Sequence, residues 1–522
     1  MRSVHRQKTT LRLFAHNAGF DLRCVDAFRQ IPLWYPKIKL ACLKAPPVII
    51  DCSRPGYRII CLDTMNWWRE RLAKLGERLR LPKLDMPLPD APPEIWDAYC
   101  RRDVEILMET VKRWIGFLLA EDLGSFKPTL AGQSLSAFRH RFMKTRILLD
   151  RDDQGLRLAR TAYHGGRVEC FRIGEIPPPV HHLDINSMYP AVMAGEKYPV
   201  HFAFSRGETS ISQLEQMLSR YSIIARATIK TETPCYCMVK DTKSFYPVGT
   251  FETVLTTPEL IRALSEGSIV KVHEATGWRS APVFKPFVDY FYAKRMEARA
   301  SGDSLGDWLF KILMNSLYGK FGQHGIRSTV VGYCPTDEVG VEEYINVDTG
   351  ERGQIVKVFG QRRLEIEAGE SRMSHPAIAA HVTAYARMAL WDLIERAGRS
   401  ETYYCDTDSL FVSPLGYERL QKDIAPDALG ALKDVGKYDR VVLFGAKDYL
   451  IGDKRTLKGV RSAAKQLAPG VFEQERWIGL TGALRLGIVD APLIASTTKT
   501  LKRVYDKGEV DLAGRVTPWR LG

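Results

Sequence analysis

Short apolar runs separated by polar breaks dominate the first 120 residues. Runs at 40–43, 47–50 and 57–62 have strand length, and a helical pattern follows over 65–79. A proline-rich loop, 84–93, precedes a longer helical stretch, 95–119, so this part reads as α/β. Further breaks fall at 124–128 and 174–180. Two helical patterns, 284–300 and 305–322, flank Gly302 and predict an antiparallel helical hairpin. Beyond it, apolar stretches at 329–333, 354–359 and 363–366 predict a β-hairpin or small sheet within 327–374. The run 403–412 is apolar except at its middle, which reads as strand, turn, strand. The chain contains no internal repeat and no low-complexity tract.

The middle of that last run is Tyr404-Cys405-Asp406-Thr407-Asp408-Ser409. Two carboxylates one residue apart inside an apolar stretch need compensation, because unpaired Asp is almost never buried. A hard divalent cation supplies it, and a third carboxylate from elsewhere would suit two metal ions clamping an in-line phosphoryl transfer. A candidate third is Asp184, in His182-Leu183-Asp184-Ile185-Asn186-Ser187-Met188-Tyr189-Pro190. An Asp at a turn after an apolar strand serves equally well as a turn former or helix cap. On the helical hairpin, Arg295 and Arg299 share one face, as do Lys311, Asn315 and Tyr318. Three cations on neighbouring helices would clamp a triphosphate. Taken alone, the hairpin also fits two solvated helices with ordinary basic residues.

Composition narrows the partners. The 522 residues carry a formal net charge of +14, which favours a polyanion such as nucleic acid. A local cluster, Lys447, Lys454, Arg455, Lys458, Arg461 and Lys465, follows the acidic tip in sequence. No apolar run reaches the roughly 18–20 residues of a membrane span, and the basic start, 1–8, lacks the apolar stretch of a signal peptide. The ten cysteines form no CxxC pair, and Cys235 and Cys237 are too isolated for a zinc site, so cytosolic thiols are expected.

Three segments, in order, resemble motifs A, B and C of the family B DNA polymerases. They are Asp184-Ile-Asn-Ser-Met-Tyr-Pro, Lys311-Ile-Leu-Met-Asn-Ser-Leu-Tyr-Gly and Tyr404-Cys-Asp-Thr-Asp-Ser. Tyr163-His-Gly165-Gly166-Arg resembles the motif linking exonuclease and polymerase domains, and Lys447-Asp-Tyr449 the motif that contacts the primer strand. The compact size is most similar to the phage, plasmid and organellar branch, which includes protein-primed members. The resemblance implies an α/β and α+β multidomain chain: an RNase H-like exonuclease-type domain, then right-hand palm, fingers and thumb. The expected boundaries are 1–120 exonuclease-like, 121–160 linker, 161–283 palm with insertion, 284–322 fingers, 323–412 palm with β-rich insertion, and 413–522 thumb.

By the same resemblance, Asp184 and Asp408 are the main metal ligands and Asp406 the supporting carboxylate. The metal is Mg²⁺, two ions, with Mn²⁺ able to substitute. Arg295, Arg299 and Lys311 would grip the dNTP, with Asn315 and Tyr318 near the nascent base pair. Tyr189 would exclude a 2′-hydroxyl, while Lys447, Tyr449, Tyr163, Gly165 and Gly166 would contact DNA. The implied partners are primer-template DNA and dNTPs, with a terminal protein primer left open and no membrane. The implied setting is DNA replication in the cytoplasm of a phage-infected or plasmid-bearing bacterial cell. Competing readings are a nuclease or a catalytically inactive nucleic-acid-binding relative.

At the front, His16-Asn17-Ala-Gly-Phe-Asp21 and Tyr99-Cys-Arg-Arg-Asp103 resemble the second and third exonuclease motifs. There Asp21 and Asp103 would bind metal, Asn17 hold the strand and Tyr99 orient the attacking water. The first motif should supply an Asp and a Glu before Asn17, yet residues 1–20 contain neither type. Either the gene extends upstream of Met1, the stronger expectation, or the domain has lost proofreading and persists as a scaffold. Loss of that strand should leave an exposed sheet edge.

Overall fold

The floor of the molecule is a five-stranded antiparallel sheet assembled from distant parts of the chain. Its order is Leu432–Tyr438, Val180–Ile185, Ser409–Val412, Thr402–Asp406 and Val168–Cys170. The computed structural model describes residues 9–43, 48–488 and 494–522. The basic start read at 1–8, and Pro47 of one expected strand, lie outside the described residues.

The inner strands are the apolar ones, and side chains such as Leu183, Leu410, Phe411 and Tyr404 are essentially inaccessible. Beneath the sheet lies the long helix Pro376–Ala397, apolar nearly all round and buried along most of its length. An all-round apolar helix belongs in a core, and this one joins the two largest hydrophobic clusters. Helices Lys285–Ala300 and Ser304–Phe321 form the predicted hairpin, and the Asp303 carboxylate caps the second by accepting from Gly306 N at 3.1 Å.

Both insertions are sheets. Tyr198–Arg206, Ile269–Ala281, Ser222–Thr231 and Val248–Thr256 pair in that order. The segment after the helical hairpin is a four-stranded sheet, His324–Tyr333, Gln361–Glu370, Arg352–Val358 and Gly340–Ile345, as its alternation predicts.

Three expectations are corrected. The segment 121–160 is not a free linker: it carries helix Leu130–Ala137, and Phe138 and Phe142 pack on Phe284 and Phe287 of the hairpin. The C-terminal part is not one unit either. Strand Val441–Gly445 pairs with Gly174–Glu175 and packs on the floor sheet, while Arg520–Leu521 returns to pair in parallel with Val248 and Gly249. Finally, the helical pattern over 65–79 is a 3₁₀ turn, Thr64–Asn66, and a short helix, Leu72–Arg78, because Trp67 and Trp68 are drawn into the core between them.

In the front sheet, Thr9–Ala15 is an edge strand among the described residues, paired with Tyr57–Asp63. Leu11 and Leu13 on it are 51% and 45% exposed, the open edge expected from sequence.

Candidate active site

The acidic tip is a tight hairpin. Thr407 sits in the left-handed region at φ 62°, and Asp408 N donates to Asp406 O at 2.7 Å. Register then does the positioning. Ser409 pairs with Asp184 on the neighbouring strand, and Ile185 N donates to Asp408 O at 2.6 Å, so Asp184 and Asp408 stand side by side. Burial and then the Asp184 charge push the Asp408 carboxyl up to about 6. Burial also raises Asp184, with Lys311 and Lys433 opposing. Two half-buried carboxylates that resist ionising together are a donor pair suited to hard cations.

Asp406 has other partners. Its carboxylate accepts two bonds from Lys447 Nζ, both 2.7 Å, and one from the Tyr404 hydroxyl at 3.2 Å. The converging set is therefore two aspartates, and among the described residues no three His, Cys, Asp or Glu side chains form a metal-sized group. Lys447, expected on the primer strand, is here the partner of Asp406, while the Tyr449 ring packs against Tyr404 and Phe411.

Above the pair is a cleft of about 320 Å³. Asp184, Asp408, Tyr189, Arg295, Arg299, Lys311, Asn315 and Tyr318 all line it, so eight residues singled out from three separate segments meet in one place. Their roles differ from a simple clamp. Arg295 is only 5% exposed: its Nε donates to Asp307 at 2.7 Å and its Nη1 to Ser187 at 2.8 Å. It thus ties the hairpin to the turn after Asp184, where Ser187 has φ 52°. Arg299 also donates to Asp307, at 3.1 Å, but remains half-exposed, and Lys311 is exposed. Tyr189 stacks on Tyr318 with ring centroids 4.6 Å apart.

The Tyr163–Arg167 turn closes the site from the side. A Cβ on Gly166 would lie 2.7 Å from the Thr407 methyl and 3.0 Å from the Tyr189 hydroxyl, so only glycine fits there. Space beside Gly165 is open. Arg387, fully buried and paired with Glu259 at 2.8 Å, donates to the carbonyls of His164 and Gly165. Arg167 O accepts from Thr407 N at 2.7 Å, fixing the hairpin tip. Tyr163 packs where a side chain on Gly322 would have to go.

Sequence reading missed Lys433, which pairs across the strands with Asp184 and lines the cleft. It also missed Asp307 and the Arg387–Glu259 pair. Only Asp307 had a local signal, an acid in the first turn of a helix opposite two arginines.

At the front, Tyr99 and Asp103 lie one turn apart on helix Pro93–Ala120, and Lys83 binds both, donating to the Tyr99 hydroxyl at 2.7 Å and to the Asp103 carboxylate. Lys83 was not foreseen. Asp21 lies in helix Ala18–Cys24, and burial together with the charge of Asp63 raises its carboxyl. Asp63 is occupied by the backbone N–H groups of Asn17, Ala18 and Met65. Asn17 itself adopts φ 73° at the turn.

A sheet floor with two facing carboxylates, roofed by a cationic helical hairpin and preceded by an α/β domain, defines a right-hand polymerase architecture. The chain belongs to the DNA polymerase type B family, organellar and viral, whose model matches residues 94–396. It is 25% identical over 314 residues to the DNA-directed DNA polymerase of Enterobacteria phage PRD1, covering 59% of this chain and 53% of that protein. It is 24% identical over 435 residues to a DNA polymerase of Kluyveromyces lactis, covering 77% and 41%. The chain thus spans about half or less of the length of the curated relatives it matches. Among solved structures, phi29 DNA polymerase with primer-template DNA and incoming nucleotides superposes with a TM-score of 0.68 over 94% of this chain and 91% of that one. At 16% identity this likeness is one of fold: mixed α/β, with an exonuclease-like domain ahead of the polymerase domain. Among the described residues no helix is long and apolar enough to cross a membrane.

Proposed function

We propose that the chain is a template-directed DNA polymerase that adds dNTPs to a primer 3′-hydroxyl. The observation that carries this reading is the convergence of Asp184 and Asp408 beneath a cleft walled by Arg299, Lys311 and Lys433. In this reading the two aspartates hold divalent cations, Mg²⁺ or Mn²⁺. When bound, such ions favour the alkoxide form of the attacking hydroxyl and neutralise the departing pyrophosphate.

The remaining work belongs to side chains. Arg299, Lys311 and Lys433 hold the triphosphate, and Arg295 positions the turn beneath it. Tyr189, held by Tyr318, lies against the sugar and refuses a 2′-hydroxyl; Asn315 and Tyr318 border the nascent base pair. Lys447 exchanges Asp406 for the primer backbone, beside Tyr449. Template choice comes from base pairing, so backbone contacts suffice for the protein. Residues 161–283 and 323–412 act as palm, 284–322 as fingers and the strands after 413 as thumb. Protein priming would be the same attack from a protein hydroxyl.

Primer extension with Mg²⁺ and dNTPs tests the reading. Asp408→Ala is expected to lose at least about 10³-fold in rate. Extension by that variant at the wild-type rate would sink the mechanism.

The 522 residues are proposed not to proofread, since Asp103 is neutralised by Lys83 and Asp63 is occupied by backbone. Metal-dependent removal of a mismatched 3′ end, abolished by Asp103→Ala, is the contrary result.

A further inference from the structure

A second cavity, about 640 Å³, opens at the end of strand Thr402–Asp406 remote from its aspartate. It shares no lining residue with the cleft above Asp184 and Asp408. Its charge is lopsided. Five arginines and Lys507 line it, against the carboxylates of Glu169 and Glu232. Both carboxylates are matched already, Glu169 by Arg167 and Glu232 by Arg520. Arg399 reaches Glu395 at 3.1 Å. Arg172, Arg515 and Lys507 have no carboxylate partner among the described residues.

Two further features point to an anion in this cavity. Arg172 and Arg515 oppose each other across an isolated antiparallel bridge, where like charges directly opposite are destabilising. In addition, Arg172 Nε and Arg167 Nη1 are buried without a hydrogen-bond partner, and Arg167 is only 1% exposed. Buried guanidinium donors left unmade are costly and rare. The Arg167 and Arg399 guanidiniums lie 4.5 and 5.0 Å from the Trp391 ring centroid, which holds both planar forks in place.

We propose that this cavity binds a small anion carrying a di- or triphosphate group. Guanidinium forks match phosphate oxygens bidentately, and Arg172 and Arg515, with Lys507 beside them donating to Val168 O at 2.8 Å, match the charge of a short phosphate chain better than that of a single carboxylate. The cavity has the size of a small-molecule site rather than of a duplex groove. The site stands independently of the activity proposed for the cleft.

The test titrates the full chain with inorganic pyrophosphate, dATP or dAMP in EDTA, which keeps divalent ions out of the cleft. Melting temperature and calorimetry are read. Pyrophosphate is expected to bind saturably and raise the melting temperature, with dAMP weaker. Arg172→Gln and Arg515→Gln should each weaken pyrophosphate by about 10-fold or more. Lys311→Ala, in the cleft, should bind it as wild type does. Lys507→Met tests the same site should either arginine variant fold poorly. Tighter binding of dATP than of pyrophosphate would assign a nucleotide as the source of the phosphate chain. No saturable binding, or equal binding by wild type and the cavity variants, overturns the proposal.

Discussion

Lys447 and Asp406 lie 41 positions apart in sequence, yet the lysine is the ion-pair partner of this carboxylate beside the site. The ammonium is more than half exposed, so the pair adds little to stability, but it fixes where one carboxylate points. Tyr189 is a comparable case of geometry giving a residue its role. It is stacked on Tyr318, with its hydroxyl against the Gly166 turn, and in the proposed reading that seat would keep it from yielding to a larger sugar. Tyr189→Val is therefore expected to raise rNTP incorporation by about 10-fold or more relative to dNTP, with Mg²⁺ dependence unchanged. Unaltered ribose discrimination in competing-nucleotide extension would remove Tyr189 from that role. The identities of Asp184, Asp408, Lys311 and Tyr189 were legible in sequence because each sits in a short motif. The engagement of Arg295 by Asp307 and Ser187 was not, since hydrogen-bond partners across elements leave no local trace.

At the scale of elements, ion pairs seat the parts that carry the site. Glu274, on strand Ile269–Ala281, accepts from Arg157 of helix Asp153–Ala162 and from Arg226 of the adjacent strand. That helix leads directly into the Tyr163–Arg167 turn. Hydrogen bonds from Arg157, then Arg226, outweigh burial and hold the Glu274 carboxyl down at about 2. Because its folded value is depressed, the stabilisation is present above the unfolded value near 4.5 and is lost as pH falls through about 2. Glu274→Gln should lower the melting temperature by about 2–4 °C at pH 7. The deficit should shrink below pH ~4.5, and a deficit independent of pH would argue against the ion pairs. The helical hairpin and the β-rich insertion were legible because their periods are clean. The segment 121–160 was not, because its short helices are buried by partners distant in sequence, Phe284 and Phe287 for one and Trp278 and Ala377 for another.

The whole molecule is closed by a core that no single segment owns. Phe28 of the front domain stacks on Phe359 of the β-rich insertion at 5.3 Å, and Leu480 and Leu484 from the C-terminal part join the same cluster. Three regions distant in sequence thereby share one buried cluster. Phe359→Ala should cost about 3–5 kcal/mol locally and expose the front domain to limited proteolysis. Single-nucleotide addition should persist, while product length per binding event, read with a competitor trap, should fall. Unchanged product length would separate this core from DNA retention.

By itself the sequence determined the order of the motifs, the kind of element each occupies and the residues that meet in the cleft, since turn chemistry and hydrophobic period act over a few residues. Tertiary structure alone decided which carboxylates face each other, which cations remain open to a ligand, and that the chain's end returns to an internal sheet. Those outcomes depend on strand register and on partners distant in sequence, where a shift of one residue reverses which face a side chain occupies.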